Sequence, residues 1–386
     1  MKSYVAFGAC FCAALIAPAN AKDGVKVDHR GVSLEAGPLD LNLGGRLHVD
    51  AARFDDMLGN KTTDVAVRRA RLEFSGRVAN VVRFRVDQEF AGNSKGWRNV
   101  WLSAEPVKNV EIKGGNFIVP FSGEDLQSSN TMPFMERSLA TALTPGFGLG
   151  GAVSAHGKHW SVSGGYFTDA LDNDENRSIE RGKGIVARVT FAPINRGGRI
   201  LHFAGAGERR SFSTTEQLAF SADAGSVLAP RLMSSGTIGD LDQLTAWNGE
   251  VALANGPLLV QAHGNRVSLE RGQSSDLSFN GQTVQASWVV LGAKRYEYSE
   301  GQGVFNGPAL RKGKGAVEFA ARVSRLDLSD GMVQRGVGRA ITGGANWYIN
   351  RNLRLMANYT NSRIRLVDGS RSERNDVGAL RLQVAF

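Results

Sequence analysis

The chain holds only two cysteines, Cys10 and Cys12, both within its opening residues. Once that leader is removed, disulfide staples and thiolate metal centres are excluded. Proline is scarce at 10 residues against 47 glycines. Long apolar runs are missing as well: the 42% hydrophobic content is broken throughout by charge, and no stretch approaches the roughly 20 apolar residues that a spanning helix needs. The six histidines include no i, i+4 pair for a metal, and neither a Gly-x-Ser-x-Gly nucleophile turn nor a phosphate-cradling glycine loop occurs. No catalytic machinery, metal site or cofactor is therefore expected. The net charge of +9 is carried by basic residues spread singly, without the basic block that nucleic acid would require.

What is present begins with Met1-Lys2-Ser3, an apolar stretch from Tyr4 to Ala17, and Ala19-Asn20-Ala21 before Lys22-Asp23. A positive start, a short apolar core and a small-x-small site predict a cleaved signal peptide over 1–21. Loss of Lys2 leaves the mature chain at +8. Residues 22–38 read as a short N-terminal extension and 39–386 as one domain.

That domain is written in alternation. Leu39, Leu41, Leu43, Leu47, Val49 and Ala51 share one face, with Asp40, Asn42, Arg46, His48 and Asp50 on the other. Ala70, Leu72 and Phe74 oppose Arg69, Arg71 and Glu73; after a turn at Val78-Ala79-Asn80, Val82, Phe84 and Val86 oppose Arg83, Arg85 and Asp87. This is the period of a strand with one polar face. About sixteen such segments are expected, near 39–52, 65–77, 81–91, 97–105, 109–117, 148–156, 158–168, 183–193, 199–210, 243–254, 257–268, 280–298, 314–327, 338–349, 352–363 and 376–386. Most approach the about 9 to 11 residues with which a tilted strand crosses a bilayer. The fold class is all-β, a transmembrane antiparallel barrel with lipid on its outer face. Its last strand sets Leu380, Leu382, Val384 and Phe386 outward, an ending like the signal read by the outer-membrane barrel assembly machinery. Trp160, Tyr166, Trp288, Tyr296, Trp347 and Tyr359 suit interfacial girdles.

With an even strand number, short periplasmic turns should alternate with longer external loops. His156-Gly157-Lys158, Asn255-Gly256 and Asn350-Arg351-Asn352 are tight, whereas Ser211 to Gln243 and Thr168 to Gly182 are long and polar. Ser299 to Gly313 breaks the rule: either that periplasmic connection is long or the strand count slips there.

Alternation also stops at Phe117 and resumes near Gly148, leaving a third external loop of about thirty residues, long enough to fold inward and set the pore. Its charges are Glu124, Asp125, Glu136 and Arg137. By face assignment the lumen holds Arg46, Arg69, Arg71, Arg83, Arg85, Arg188, Arg322, Arg354 and Arg381 against Asp40, Asp50, Glu73, Asp87, Glu89 and Glu318. Two readings of Arg69, Arg71, Arg83 and Arg85 stay open. Guanidinium groups can pass an anion between them by bidentate contacts, or they can neutralise the cross-strand acids.

The loop run Pro120-Phe121-Ser122-Gly123-Glu124, with Leu126, Ser128-Ser129, Phe134 and Glu136-Arg137, resembles the phosphate-selective porins of the O and P type. So do Arg68-Arg69-Ala70-Arg71-Leu72, Gly315-Ala316-Val317-Glu318-Phe319-Ala320-Ala321-Arg322 and Gly343-Gly344-Ala345-Asn346-Trp347-Tyr348-Ile349-Asn350. The resemblance implies a sixteen-stranded, usually trimeric barrel of the outer membrane that passes small anionic solutes, phosphate or polyphosphate. One departure bears on selectivity: where the family commonly places a lysine before Val119-Pro120-Phe121, this chain has Ile118. A general or cation-tolerant porin is the alternative; a receptor or adhesin would need longer external loops.

Overall fold

The computed structural model describes residues 24–28, 31–55, 61–92, 95–172, 182–213, 215–311, 314–330, 333–365 and 372–386, so the expected leader lies outside the described residues. A hairpin of β1 (Gly24–Asp28) and β2 (Gly31–Ala36) precedes β3 (Leu39–Asp55), β4 (Lys61–Val78), β5 (Val82–Glu89), β6 (Gly96–Val107), β7 (Val110–Ile118), β8 (Phe147–His156) and β9 (Trp160–Thr168). The chain continues through β10 (Lys183–Arg196), β11 (Arg199–Ser211), a small hairpin of β12 (Ser221–Asp223) and β13 (Arg231–Ser234), then β14 (Leu241–Asn255), β15 (Leu258–Arg271) and β16 (Leu277–Leu291). A second small hairpin, β17 (Tyr296–Ser299) with β18 (Val304–Pro308), leads to β19 (Ala316–Asp330), β20 (Val333–Tyr348), β21 (Leu353–Arg365) and β22 (Ser372–Ala385). Setting aside β1, β2 and the two small hairpins, sixteen strands form one closed antiparallel barrel in which β22 returns to β3. Within the expected extension the described strands β1 and β2 pair with each other, and β2 pairs with β3 below the point where β22 ends.

The two faces are inverted relative to a soluble protein. Leu253, Ile341 and Leu380 on the outer face are 51%, 60% and 61% exposed, whereas Arg188, Arg354 and Arg381 are among the largest fully buried side chains. Only a wall with lipid outside and polar contents inside stabilises that arrangement. Trp160, Trp288 and Trp347 stand exposed at the periplasmic ends of their strands. Most strands run beyond the apolar alternation, β20 starting at Val333 rather than 338, because backbone pairing continues where side chains leave the lipid.

Turns at the periplasmic rim are short. Gly197 and Gly198 link β10 to β11 at φ 61° and 80°, the left-handed pair that a two-residue hairpin demands. The exception is 292–315, between β16 and β19, which is a long connection; the count holds. The strand expected over 280–298 ends at Leu291, and Tyr296 is no girdle residue: it is buried and donates to Glu318 Oε1 at 2.7 Å. The segment turns up into the lumen, where Tyr298 OH lies 2.9 Å from His202 Nδ1 and Phe305 is buried. Apolar residues that alternate in a lumen-entering hairpin read like strand continuation, which is why sequence alone merges them with β16.

The external loop 212–240 also differs from its polar appearance. Leu218, Phe220, Met233 and Ile238 are buried, with Phe220 5.6 Å from Phe279 on the inward face of β16. Burying each such side chain contributes about 1.5–3 kcal/mol, enough to hold the loop inside the barrel.

Candidate functional site

The third loop, 119–146, crosses the lumen and contains a short helix, α1 (Gly123–Leu126), and a 3-10 turn at Leu139–Leu143. Wall arginines hold its carbonyl groups. Arg188 donates to Phe121 O at 2.9 Å, Arg354 to Met132 O at 2.8 Å, Arg381 to Met135 O at 2.7 Å and Arg322 to Glu136 O at 2.9 Å. Arg188 and Arg322, both grouped by sequence with the anion-facing residues, are committed to this scaffold: Arg188 is also bidentate to Glu250, and Arg322 lies over the Phe134 ring. Pro120, Phe121 and Ser122 are buried at the entry of the loop, and Gly123 N donates to Glu250 at 2.7 Å.

The acids of the loop are all engaged. Glu136 accepts from Arg68 Nε and Nη2 at 3.0 and 3.1 Å and from Arg381 at 2.9 Å. Burial pushes its pKa up, but these cations hold it far below the usual carboxylate range. Glu124 accepts from Ser138 N and Oγ, each at 2.7 Å, and lies 3.0 Å from His263 and 3.6 Å from Arg322. There too burial acts upward and is outweighed, leaving a pKa of about 2. Asp125 accepts from Thr144 Oγ1 and lies 3.4 Å from Arg137, which itself donates to the carbonyls of Glu124, Asp125 and Gln127. Each of the three loop acids thus has cationic or hydroxyl partners.

On the opposite side, between the loop and strands β3 to β7, lies a cavity of about 600 Å³. Its cationic side chains are Arg46, Arg68, Arg69, Arg71, Arg85, Arg98, Lys113 and Arg137, against three carboxylates, Glu73, Glu136 and Asp223. Ser128 and Ser129 form part of the loop edge, and Arg46 donates to Ser129 Oγ at 2.9 Å. Gln302 and Asn306 of the periplasmic hairpin and Ser221 of loop 212–240 complete the lining.

The wall is not the aligned arginine row that alternation suggests. Arg71 faces Glu89 across the β4–β5 pair and Arg85 faces Ser75. Arg46 pairs with Glu73, Arg85 with Glu73 and Asp87, and Arg71 and Arg69 with Glu89. Arg83 stands apart at the periplasmic rim, 3.1 Å from Glu111 and 3.8 Å from Glu105, outside the cavity lining. These arginines therefore neutralise cross-strand acids, while the cavity lining as a whole carries more cations than carboxylates.

Three lining cations lie outside the sequence-based set. Arg68 sits in a bulge, where His48 pairs with Arg69 and Val49 with Val67. The extra residue breaks strict alternation and turns both Arg68 and Arg69 inward. Arg98 follows a second irregularity between β5 and β6, and its guanidinium lies 5.4 Å over the Phe147 ring. Lys113 lies 4.6 Å over Trp101; the alternation of Glu111 and Lys113 with Val110 and Ile112 carries its signal.

A closed sixteen-stranded barrel narrowed by an inward third loop over a cationic lumen is a porin. The chain belongs to the phosphate-selective porin O and P family, whose model matches residues 41–386. Porin O of Pseudomonas aeruginosa is 24% identical, over 89% of this chain and 88% of its own. Among solved structures, OmpT, an outer membrane protein of Vibrio cholerae, superimposes with a TM-score of 0.58 at 12% identity, covering 92% of this chain and 99% of its own. An anion-selective porin from Comamonas acidovorans gives 0.57 at 14% identity, over 90% of this chain and 100% of its own. At such identities the structural likeness speaks for the fold.

Proposed function

We propose that this protein is a passive diffusion channel of the outer membrane for small polar solutes, with a preference for anions such as phosphate or polyphosphate, and that it performs no catalysis. The observation that carries this is the cationic excess along the cavity beside the third loop. A phosphate entering there meets guanidinium groups that stay charged at every physiological pH and can offer paired N–H donors. Because acids hold those arginines in place, the solute finds preset donors and displaces no long side chains. The neutral Ile118 in the lining, together with the paired state of Arg85, favours a second reading in which the pore admits anions without a phosphate-binding step.

Single-channel chloride current titrated with inorganic phosphate tests the difference. Saturable block supports a phosphate site; a current that merely scales with ionic strength supports the general anion pore. We further propose that residues 1–21 are removed on export, that Phe386 is read by the barrel assembly machinery, and that the barrel works as a homotrimer, the form in which one Vibrio cholerae OmpT neighbour is described.

A further inference from the structure

The lining of the cavity beside the third loop changes character from strand to strand. On β3, β4 and β5 it is charged, with Arg46, Arg69, Arg71, Glu73 and Arg85. Strands β6, β7 and β8 add apolar surface through Trp101, Phe117, Ile118 and Phe147, and Leu126 of α1 adds to it from the loop. Elsewhere in the lumen apolar side chains are covered: Phe121, Phe134, Phe220 and Phe279 are fully buried. Trp101, Ile118, Leu126 and Phe147 are only half-buried and border the open cavity. Trp101 also parts from the other five tryptophans, Trp97, Trp160, Trp247, Trp288 and Trp347, all of which are exposed.

Two cations stand directly against this surface. Lys113 Nζ lies 4.6 Å from the centre of the Trp101 ring and 5.5 Å from that of Phe117, and the Arg98 guanidinium lies 5.4 Å from that of Phe147. A solute whose negative charge meets Lys113 therefore has apolar surface beside its body. A small hydrated ion, inorganic phosphate included, gains nothing from such surface, whereas a flat apolar body covers it and leaves water in doing so. Apolar walls with a few placed charges are the usual make-up of a site for an organic ligand.

We propose that the cavity is also a binding site for aromatic carboxylates, anions that carry a planar apolar ring, with the carboxylate at Lys113 and the wall arginines and the ring against the apolar side. The inference rests on the anion-pore reading above and adds a solute class to it.

The test is single-channel chloride current of the reconstituted full barrel titrated with benzoate, acetate and benzyl alcohol, with the reversal potential in a salt gradient measured on the same channels. Benzoate is expected to block saturably at a concentration on the order of tenfold below that of acetate, and benzyl alcohol, which has the ring without the charge, is expected not to block. Trp101→Ser and Leu126→Ser should each bring benzoate closer to acetate, Trp101→Phe should keep most of the difference, and heat-modifiable migration reports an intact barrel in each. The wild-type comparison needs no variant and decides the matter even where a substituted chain fails to assemble. An anion-selective channel that benzoate and acetate block alike overturns this inference and leaves the anion pore standing; a channel without anion preference overturns both. Block by benzyl alcohol equal to that by benzoate, or a wild-type difference retained in both serine variants, would also overturn it.

Discussion

Gly45 and Phe386 exchange two backbone hydrogen bonds, Gly45 N to Phe386 O at 2.7 Å and Phe386 N to Gly45 O at 3.0 Å, and so form the last rung of the seam that closes the barrel. The glycine admits the ring: a Cβ there would stand 2.8 Å from Arg71 O and 3.1 Å from Phe386 Cζ. An aromatic side chain covering a cross-strand glycine in this way shields backbone that a bare strand would expose. Gly45→Val is therefore expected to cost about 1–3 kcal/mol through overpacking, and Phe386→Asp to lower the yield of assembled barrel further, because it removes the cover and adds charge at the lipid face. Heat-modifiable migration of outer-membrane fractions reports both; wild-type yield from Phe386→Asp would count against a role in assembly.

Glu136 ties the third loop to the wall through Arg68 and Arg381. Glu136→Gln removes the charged acceptor that Arg68 and Arg381 share, while Arg381 keeps its bidentate pair with Asp50, a loss of about 1.5–3 kcal/mol for hydrogen bonds to a charged group. The expected outcome is a lower unfolding temperature together with noisy, higher single-channel conductance as the loop loosens. A quiet channel of unchanged size would show that the carbonyl contacts from Arg188, Arg322, Arg354 and Arg381 suffice.

Acid should act on the same loop with a definite sign. Glu124 titrates near 4.5 when unfolded and at about 2 in place beside His263 and Arg322, so its contribution is fully present above about pH 4.5 and is lost as pH falls toward 2. Glu136, depressed further, follows at lower pH. The loop's hold through Glu124 is thus expected to persist as pH falls to about 5 and the conductance to change through it only in stronger acid. Glu124→Gln should abolish the part of the change that begins first, which a pH series on the reconstituted channel reads directly.

The legibility of this molecule divides along physical lines. Alternation needs only local residue order, so the sixteen strands, the outward Leu380 and Leu382 and the length of the third loop were all readable. Bulges depend on pairing between strands, which is why Arg68 looked lipid-facing. Arg188 and Arg322 were correctly placed on the inner face, but whether an inward arginine meets solute or a loop carbonyl is decided by the path of 119–146, and no periodicity encodes that path. The periplasmic hairpin defeated the reading for the opposite reason, since its Tyr296 and Tyr298 keep the strand period after the strand has ended.

Arg83 and Arg85 share a face on β5 but differ in surroundings. Arg83 lies outside the cavity with Glu111 and Glu105, whereas Arg85 lines it. Screening confines a charge to roughly 8 Å at physiological salt, so Arg83→Gln is expected to leave the reversal potential nearly unchanged while Arg85→Gln moves it toward cations. Equal shifts from the two would mean that the periplasmic rim, and not the cavity, sets ion preference.

The most direct test of the cationic wall is the reversal potential across a salt gradient for the wild-type channel and the Arg69→Gln, Arg85→Gln double variant. Both side chains line the cavity, and lumen-facing substitutions tune selectivity with little cost to insertion. The account predicts an anion-selective wild-type potential that the double variant moves toward cations, most strongly at low salt, where screening is weakest. A correctly folded double variant with the wild-type potential at every salt concentration would contradict it.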